Sequence, residues 1–257
     1  MFRKLRIAIL LIILVFVALN TVLDRFYSRS WQGPLQVALF PVNADGSKAA
    51  TEFIRQLQPE DLQPLEAFFN NQAKLYYLPV DRPLRFTLAP VLSEPPPLPP
   101  EQGGVLVTMM WSLHLRWFTW RTPNPPGPTP TIRMFMLFHD PARANVLQDS
   151  TGLEKGLVGI AHLFASNSMA RANLVIVAHE LLHTLSATDK YDLETNLPVY
   201  PEGYAEPERQ PRYPQERAEL MAGRIAVSAN RAEQADSLQQ VMIGPITARE
   251  IGWDRAP

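Results

Sequence analysis

Residues 174–184 read Leu-Val-Ile-Val-Ala-His-Glu-Leu-Leu-His-Thr, and this stretch decides how the rest of the chain is interpreted. Apolar residues fill most of its positions, which indicates a buried helix, and Asn173 is placed to cap the start. His179 and His183 stand four residues apart, so a helix brings both imidazoles to one face, within reach of one metal ion. Glu180 emerges beside them, placed to take a proton from water. The pattern predicts a zinc site on a helix.

A catalytic zinc ion needs a third protein ligand and one open position. The chain contains no cysteine, so that ligand must be a histidine, a carboxylate or a tyrosine. Asp189 follows His183 by six residues and is the first candidate. Glutamates further along the chain remain alternatives, in the manner of thermolysin-like (gluzincin) peptidases, which take this ligand from a second helix: Glu202, Glu206, Glu216 and Glu219.

The segment from His179 to Tyr191 resembles the metzincin zinc peptidases, whose motif is H-E-x-x-H-x-x-G-x-x-H. In snapalysin-like members of that family the third ligand is Asp and a Tyr follows two residues later, as Asp189 and Tyr191 do here. Residues 219–223, Glu-Leu-Met-Ala-Gly, are similar to the family's methionine turn. Ser186 replaces the glycine at which the family's chain leaves the helix, and serine lacks glycine's freedom at positive φ, so the turn here is open to a different geometry.

The resemblance implies a metzincin-like fold, one catalytic Zn²⁺ and a peptide or protein substrate. It implies His179, His183 and Asp189 as ligands, with Glu180 as general base. Tyr191 would complete the zinc shell or donate to the oxyanion, and Met221 would lie beneath the metal. It also implies that the strand before the active-site helix, within residues 156–165, is an edge strand that pairs with the substrate. The predicted substrate contacts are Gly159, Ile160 and Ala161. The alternative is a gluzincin-like site with Glu219 as third ligand.

The N-terminus carries the signature of a membrane anchor. Arg3, Lys4 and Arg6 precede an apolar run from Ile7 to Leu23 that is long enough to span a bilayer as a helix. The positive charges predict a cytoplasmic N-terminus, with the remainder on the periplasmic or extracellular side of a bacterial membrane. A cleaved signal peptide is the competing interpretation, although no small-residue cleavage site follows the run. The expected division is an anchor at residues 1–30 and a peptidase-like domain at 31–257.

Between the anchor and the motif, the residue pattern predicts an α/β (α+β) domain with a mixed, twisted sheet. An N-terminal subdomain at about 31–186 and an irregular C-terminal subdomain at about 187–257 are expected, the latter ending in a short helix that packs Ile251 and Trp253. Strands are predicted at 35–42, 84–88, 132–138 and 156–165, and helices at 50–57, 60–76 and 105–120.

Composition narrows the classes of function. The net charge of −1 argues against nucleic-acid binding, which requires a basic surface. The remaining histidines, His114, His139 and His162, are predicted not to be ligands. Two rival functions stay open: a non-catalytic zinc-binding or interaction module on the membrane, and a scaffold whose proline tract at 94–100 binds partners.

Overall fold

A computed structural model describes residues 29–100, 104–143, 150–153 and 157–253. None of the helices within these residues is long and apolar enough to cross a bilayer. The predicted anchor at Ile7–Leu23 lies outside the described residues.

Besides three 3₁₀ turns and the helical residues 29–30, the described chain contains five α-helices and nine strands. The helices are α1 (Lys48–Gln56), α2 (Gln63–Leu75), α3 (Val105–Arg121), α4 (Ala170–Thr184) and α5 (Pro245–Glu250). The strands are β1 (Leu35–Asn43), β2 (Leu84–Leu88), β3 (Ile132–His139), β4 (Thr151–Leu153), β5 (Val158–Phe164), β6 (Ala218–Glu219), β7 (Arg224–Ser228), β8 (Arg231–Gln234) and β9 (Val241–Met242). These bounds confirm the predicted strands at 35–42, 84–88 and 132–138 and the helix at 105–120 to within a residue.

The central sheet has five strands in the order β2-β1-β3-β5-β4. The pairs β1–β2, β1–β3 and β3–β5 are parallel, and only β4 runs antiparallel, against β5. The sheet is therefore mixed, as predicted. Helices α1 and α2 connect β1 to β2, and α3 connects β2 to β3. Because helices cover both faces of the sheet, its middle strands are apolar on both faces.

Alternate side chains of the strands pack into two separate hydrophobic cores. One face of β1 and β3 presents Val37, Leu39 and Met134 to the core that contains helix α4. The opposite face presents Phe40 and Phe135 to α3. A side-chain period of two along each strand produces this separation. The sheet thus lies between α3 on one side and α2 and α4 on the other.

The prediction that residues 156–165 form an edge strand is wrong. Strand β5 lies inside the sheet, and Gly159 pairs with Met134 of β3 on one side and Gly152 of β4 on the other. Ile160 is likewise paired on both sides, so the backbone here is already bonded and cannot add a substrate strand. At position 159 glycine leaves room for the side chain of Met134, which occupies the space that a Cβ atom would need. Within the described residues, β4 is the outer strand on this side of the sheet.

The start of helix α4 also differs from the prediction. A short 3₁₀ turn at Asn167–Met169 leads into α4 at Ala170, so Asn173 lies inside the helix rather than at its cap. The Asn173 side chain donates to the carbonyl of Phe164 at 2.8 Å and accepts from its amide at 3.2 Å. It therefore joins α4 to the end of β5.

Residues after α4 contain little regular structure, as expected for the C-terminal part. Two pairs of short strands, two isolated bridges and the short helix α5 are connected by turns. Ile251 and Trp253 are almost fully buried, which confirms the predicted packing of the chain's end. Trp253 packs edge-on against Trp31, whose indole N–H donates to the carbonyl of Ile251 at 2.8 Å. These contacts hold the C-terminal part against the start of the sheet.

Candidate metal centre

Helix α4 ends in a Schellman motif that turns the chain back towards the histidines. The amide of Ser186 donates to the carbonyl of His183 at 3.1 Å, and the amide of Ala187 donates to that of Leu182 at 3.0 Å. Ser186 adopts φ of 81°, in the left-handed region that this motif requires and that favours glycine. The serine therefore keeps the glycine-type turn, at the expense of backbone strain.

Replacing Ser186 with glycine is expected to raise the free energy of unfolding by about 0.5–1 kcal/mol. The change relieves the steric cost of a left-handed L-residue, about 1–2 kcal/mol, and the larger chain entropy of glycine in the unfolded state offsets part of the gain. Denaturant titration of both proteins measures the difference. Ser112→Gly in the middle of α3 is the control, because glycine should destabilise a helix interior. A destabilised Ser186→Gly variant would contradict the strain argument.

The turn brings three donor atoms together. Nε2 of His179 and Nε2 of His183 lie 3.0 Å apart. Oδ1 of Asp189 lies 3.1 Å from the first and 3.2 Å from the second. The three side chains thus form a nearly equilateral triangle of nitrogen and oxygen atoms.

Hydrogen bonds on the far side of each imidazole fix which nitrogen faces the triangle. Nδ1 of His179 lies 3.0 Å from the carbonyl oxygen of Leu220, and Nδ1 of His183 lies 2.9 Å from that of Ala187. A carbonyl only accepts, so each Nδ1 carries the proton and each neutral ring turns a bare Nε2 inwards. Two nitrogen lone pairs and a carboxylate oxygen at this spacing repel one another unless a cation lies among them.

The pKa values of the metal-free site also favour a bound cation. Burial opposes the charged form of His179, but the hydrogen bond to Asp189 and the charge of Glu180 outweigh it and raise the pKa of His179. Burial alone would raise the pKa of Asp189, yet its bonds to His179 and His183 hold that pKa far below its usual value. Asp189 is therefore ionised, and the raised pKa of His179 favours a proton on that imidazole when no metal is bound. A metal ion would compete with this proton for the same lone pair.

The donor set fits zinc. Donors bound tetrahedrally at about 2.0–2.1 Å from zinc lie about 3.3 Å from one another, close to the spacing of these three atoms. Two imidazoles and one carboxylate are a ligand set that catalytic zinc uses. The side chains of His179, His183 and Asp189 keep 15%, 18% and 34% of their surface exposed, so the centre is open to solvent. A closed structural zinc site would have no such opening.

Glu180 supplies a fourth group next to the triangle. Its side chain is buried, 5% exposed, and a carboxylate oxygen lies within 4.8 Å of a ring nitrogen of both histidines. This carboxylate is near enough to bond a water molecule placed at the open side of the centre.

The residues flanking Asp189 are held by a buried ion pair. Lys190 is 3% exposed, and its Nζ donates to the Glu250 carboxylate at 2.8 and 2.9 Å and to the Thr188 carbonyl at 2.9 Å. The same carboxylate accepts from the amide of Thr188 at 3.0 Å and from its hydroxyl at 2.7 Å. Asp189 therefore sits between two residues that are both bound to α5.

The predicted methionine turn lies directly behind the histidines. A tight turn at residues 219–223 closes with the amides of Ala222 and Gly223 donating to the carbonyl of Glu219, each at 3.0 Å. Leu220 in this turn supplies the carbonyl for His179. Met221 is fully buried, and its carbonyl accepts from the amide of Lys190 at 3.0 Å. The turn thus binds both the helix and the Asp189 segment.

Glu219 is engaged elsewhere, which removes the gluzincin-like alternative. Its fully buried carboxylate accepts from the amide of Met221 at 2.6 Å, the amide of Gly244 at 3.0 Å and the hydroxyl of Thr247 at 2.7 Å. A further bond comes from the amide of Ala222 at 3.2 Å. All the oxygen lone pairs are used, so Glu219 joins the turn to α5 and is not available to a metal.

Tyr191 begins a hairpin after the ligand segment. Its backbone pairs with Pro198, and its side chain is half-buried. This placement brings it close to Asp189 along the chain, and its role towards a substrate stays a prediction.

A second histidine pair lies on the sheet, away from this centre. Nε2 of His139 and Nδ1 of His162 are 2.9 Å apart with the rings stacked, so one ring donates to the other. Burial lowers the pKa of His139, against the charge of Asp45. Within the described residues, these two rings do not belong to a group of three metal-binding side chains.

A cavity of about 400 Å³ lies between α1 and the start of α4, lined by Phe53, Met136, Phe138 and Leu163 among others. None of the three donors lines it. The candidate metal centre is instead an open surface site, which suits an extended chain better than a small enclosed ligand.

Neither the known protein families nor the curated proteins include a detectable relative of this chain.

Several supporting groups could not be found from the sequence. The carbonyls of Ala187 and Leu220 belong to the backbone and leave no residue signature. The Lys190–Glu250 pair joins residues far apart in the chain, and single lysines and glutamates carry no pattern that would associate them. Only the Glu-Leu-Met-Ala-Gly segment gave an advance signal for the turn behind His179.

Proposed function

We propose that this protein is a zinc-dependent peptidase, held at a membrane by its N-terminal segment, that hydrolyses peptide bonds on the non-cytoplasmic side. The observation that carries the proposal is the convergence of the Nε2 atoms of His179 and His183 with one Asp189 oxygen at 3.0–3.2 Å, open to solvent and beside a buried Glu180. His179, His183 and Asp189 would hold the metal. Zinc, when bound, supplies Lewis-acid chemistry that makes water acidic and polarises a carbonyl.

The chain's own residues divide the remaining work. Glu180 accepts a proton from the attacking water and passes it to the departing amine. The carbonyls of Leu220 and Ala187 keep both imidazoles in the tautomer that binds metal. Tyr191, from the hairpin after Asp189, is proposed to donate a hydrogen bond to the oxyanion.

The substrate is proposed to pair with the outer edge of β4 rather than with β5. Strand β4 runs antiparallel to β5 and is the outer strand on this side of the sheet among the residues that the structure describes, so its outer edge can accept an extended peptide by backbone hydrogen bonding. The alternative function, a zinc module without turnover, shares the three ligands but gives Glu180 no role.

Metal analysis of the full-length protein tests the zinc site. We expect one zinc ion per chain in the wild type, and more than about a hundredfold weaker binding in Asp189→Ala, because loss of a ligand exceeds the effect of losing an outer contact. Asp192→Ala is the matched control, since the carboxylate of this exposed aspartate accepts from Glu194 and Thr195 of its own turn. Full zinc affinity in Asp189→Ala would remove Asp189 from the donor set and overturn the proposed centre.

A further inference from the structure

Helix α3 is apolar on two opposite sides. Leu115 and Phe118 are buried against the sheet. On the other side, six large apolar residues are between 51% and 81% exposed, and we call them the α3 stripe: Leu106, Met109, Met110, Leu113, Trp117 and Trp120. At 3.6 residues per turn these six positions fall within an arc of about 100°. A contiguous apolar surface of this kind marks a contact with another apolar phase.

The charges around the α3 stripe favour a lipid surface. Arg116 and Arg121 lie at its two borders, and no acidic residue occurs from Val105 to Arg121. Arg121 pairs with the exposed Glu94 at 2.8 Å, so Arg116 and Arg121 together leave a net positive charge beside the stripe. The guanidinium of Arg121 stacks on the ring of Trp117, 4.6 Å from its centroid. Tryptophan and arginine beside an apolar face are typical of helices that lie in the interface of a bilayer, where the cations meet phosphate groups.

The position of α3 in the fold gives a second, independent argument. Its C-terminal end, with the two tryptophans, lies at the start of β3, where Arg133 donates to the carbonyl of Thr122 at 3.0 Å. The start of β1 lies at the same end of the sheet, since the amide of Thr131 donates to the carbonyl of Gln36 at 2.8 Å. The described chain therefore enters the domain at the tryptophan end of α3.

The length of the connecting chain restricts how far the tryptophan end of α3 can lie from the membrane. Eight residue steps separate Leu23, the end of the apolar run, from Trp31, which is fixed in the core. At about 3.5 Å per residue they reach at most about 28 Å. A domain tethered this closely brings the α3 stripe within reach of the same bilayer.

We propose that the α3 stripe inserts into the outer face of the bilayer, as a second membrane contact besides the N-terminal anchor. Because α3 and α4 cover opposite faces of the sheet, this orientation turns the metal centre away from the lipid, towards soluble or cell-surface polypeptides. The inference rests on the anchor in the proposed function, but not on its zinc chemistry.

Spin labelling tests the proposal, since the chain has no cysteine and any introduced one is unique. Leu113 and Leu75 are matched: they are 59% and 60% exposed and lie on helices on opposite sides of the sheet. The full-length Leu113→Cys and Leu75→Cys variants, each carrying a nitroxide, would be reconstituted in vesicles of phosphatidylcholine and phosphatidylglycerol. Collision rates with oxygen, which partitions into lipid, and with a water-soluble nickel chelate would then be compared.

For the label at position 113 we expect oxygen collisions to exceed those with the nickel chelate several-fold, and at position 75 we expect the reverse. Leu106→Cys, on the same stripe, should repeat the result for 113. Equal access of the nickel chelate at 113 and 75 would place the stripe in water and overturn the proposal. Low access of both reagents at 113 would also overturn it, because protein would then cover the stripe. Zinc content of the same samples reports separately on the metal centre.

Discussion

Replacing Glu180 with glutamine is expected to leave zinc bound while lowering peptide hydrolysis by about 10²–10⁴-fold or more. Glutamine keeps the size of the side chain and its place on α4, so His179, His183 and Asp189 stay in position. It cannot accept the proton of the attacking water, since an amide has no basic oxygen in this pH range. Metal content and the rate of cleavage of a peptide library, measured on the same full-length preparation, give the two quantities.

The control for this substitution is Glu60→Gln, which removes an exposed carboxylate from the 3₁₀ turn before α2. It should change neither zinc content nor rate. Wild-type activity in a zinc-loaded Glu180→Gln protein would leave Glu180 without a catalytic role and favour the module without turnover. Loss of zinc together with activity would instead make Glu180 part of the ligand set.

Replacing Lys190 with methionine is expected to lower the free energy of unfolding by about 3 kcal/mol. The side chain is almost fully buried, and its removal leaves the Glu250 carboxylate, 24% exposed, without its cation. The partial exposure of Glu250 places the effect at the lower end of the range for a broken buried pair. Because Thr188 and Lys190 flank Asp189, we also expect zinc affinity to fall by about 10–100-fold, as for other contacts that orient a ligand.

Two further variants distinguish the effect of the ion pair on stability from the effect of side-chain packing. Lys190→Met combined with Glu250→Leu removes the unpaired charge and should recover part of the lost stability. Arg55→Met breaks the exposed Arg55–Glu52 pair on α1, where both side chains are more than half exposed, and should leave stability unchanged. If Lys190→Met changed unfolding and zinc affinity no more than Arg55→Met, the buried pair would have no positioning role.

The candidate ligands were predictable from the sequence because each depends on local geometry. An α-helix places residues four apart on one face whatever surrounds it, so the spacing of His179 and His183 alone indicates a shared ligand. Asp189 follows through a short turn whose conformation is set by nearby residues. The major strands were likewise visible, since burial on both faces requires uninterrupted apolar residues in β1 and β3.

Only the tertiary structure showed which residues are the neighbours of strand β5 and of the Glu219 carboxylate. Residues 156–165 read as a strand, but whether that strand lies at an edge depends on Thr151–Leu153, a segment of three residues too short to show a period. Glu219 was a possible ligand by residue type, and only the packing of the 219–223 turn against α5 showed its oxygens fully used.

The sequence by itself determined which side chains can reach one another along the backbone: the histidine pair, Glu180 beside it and the aspartate after the helix. Tertiary structure decided which backbone carbonyls face the imidazoles, which ion pair holds Asp189, and which face of α3 stays open. The physical reason is the range of the interactions, because helical spacing acts over one turn whereas buried hydrogen bonds and ion pairs join residues that only the completed fold brings together.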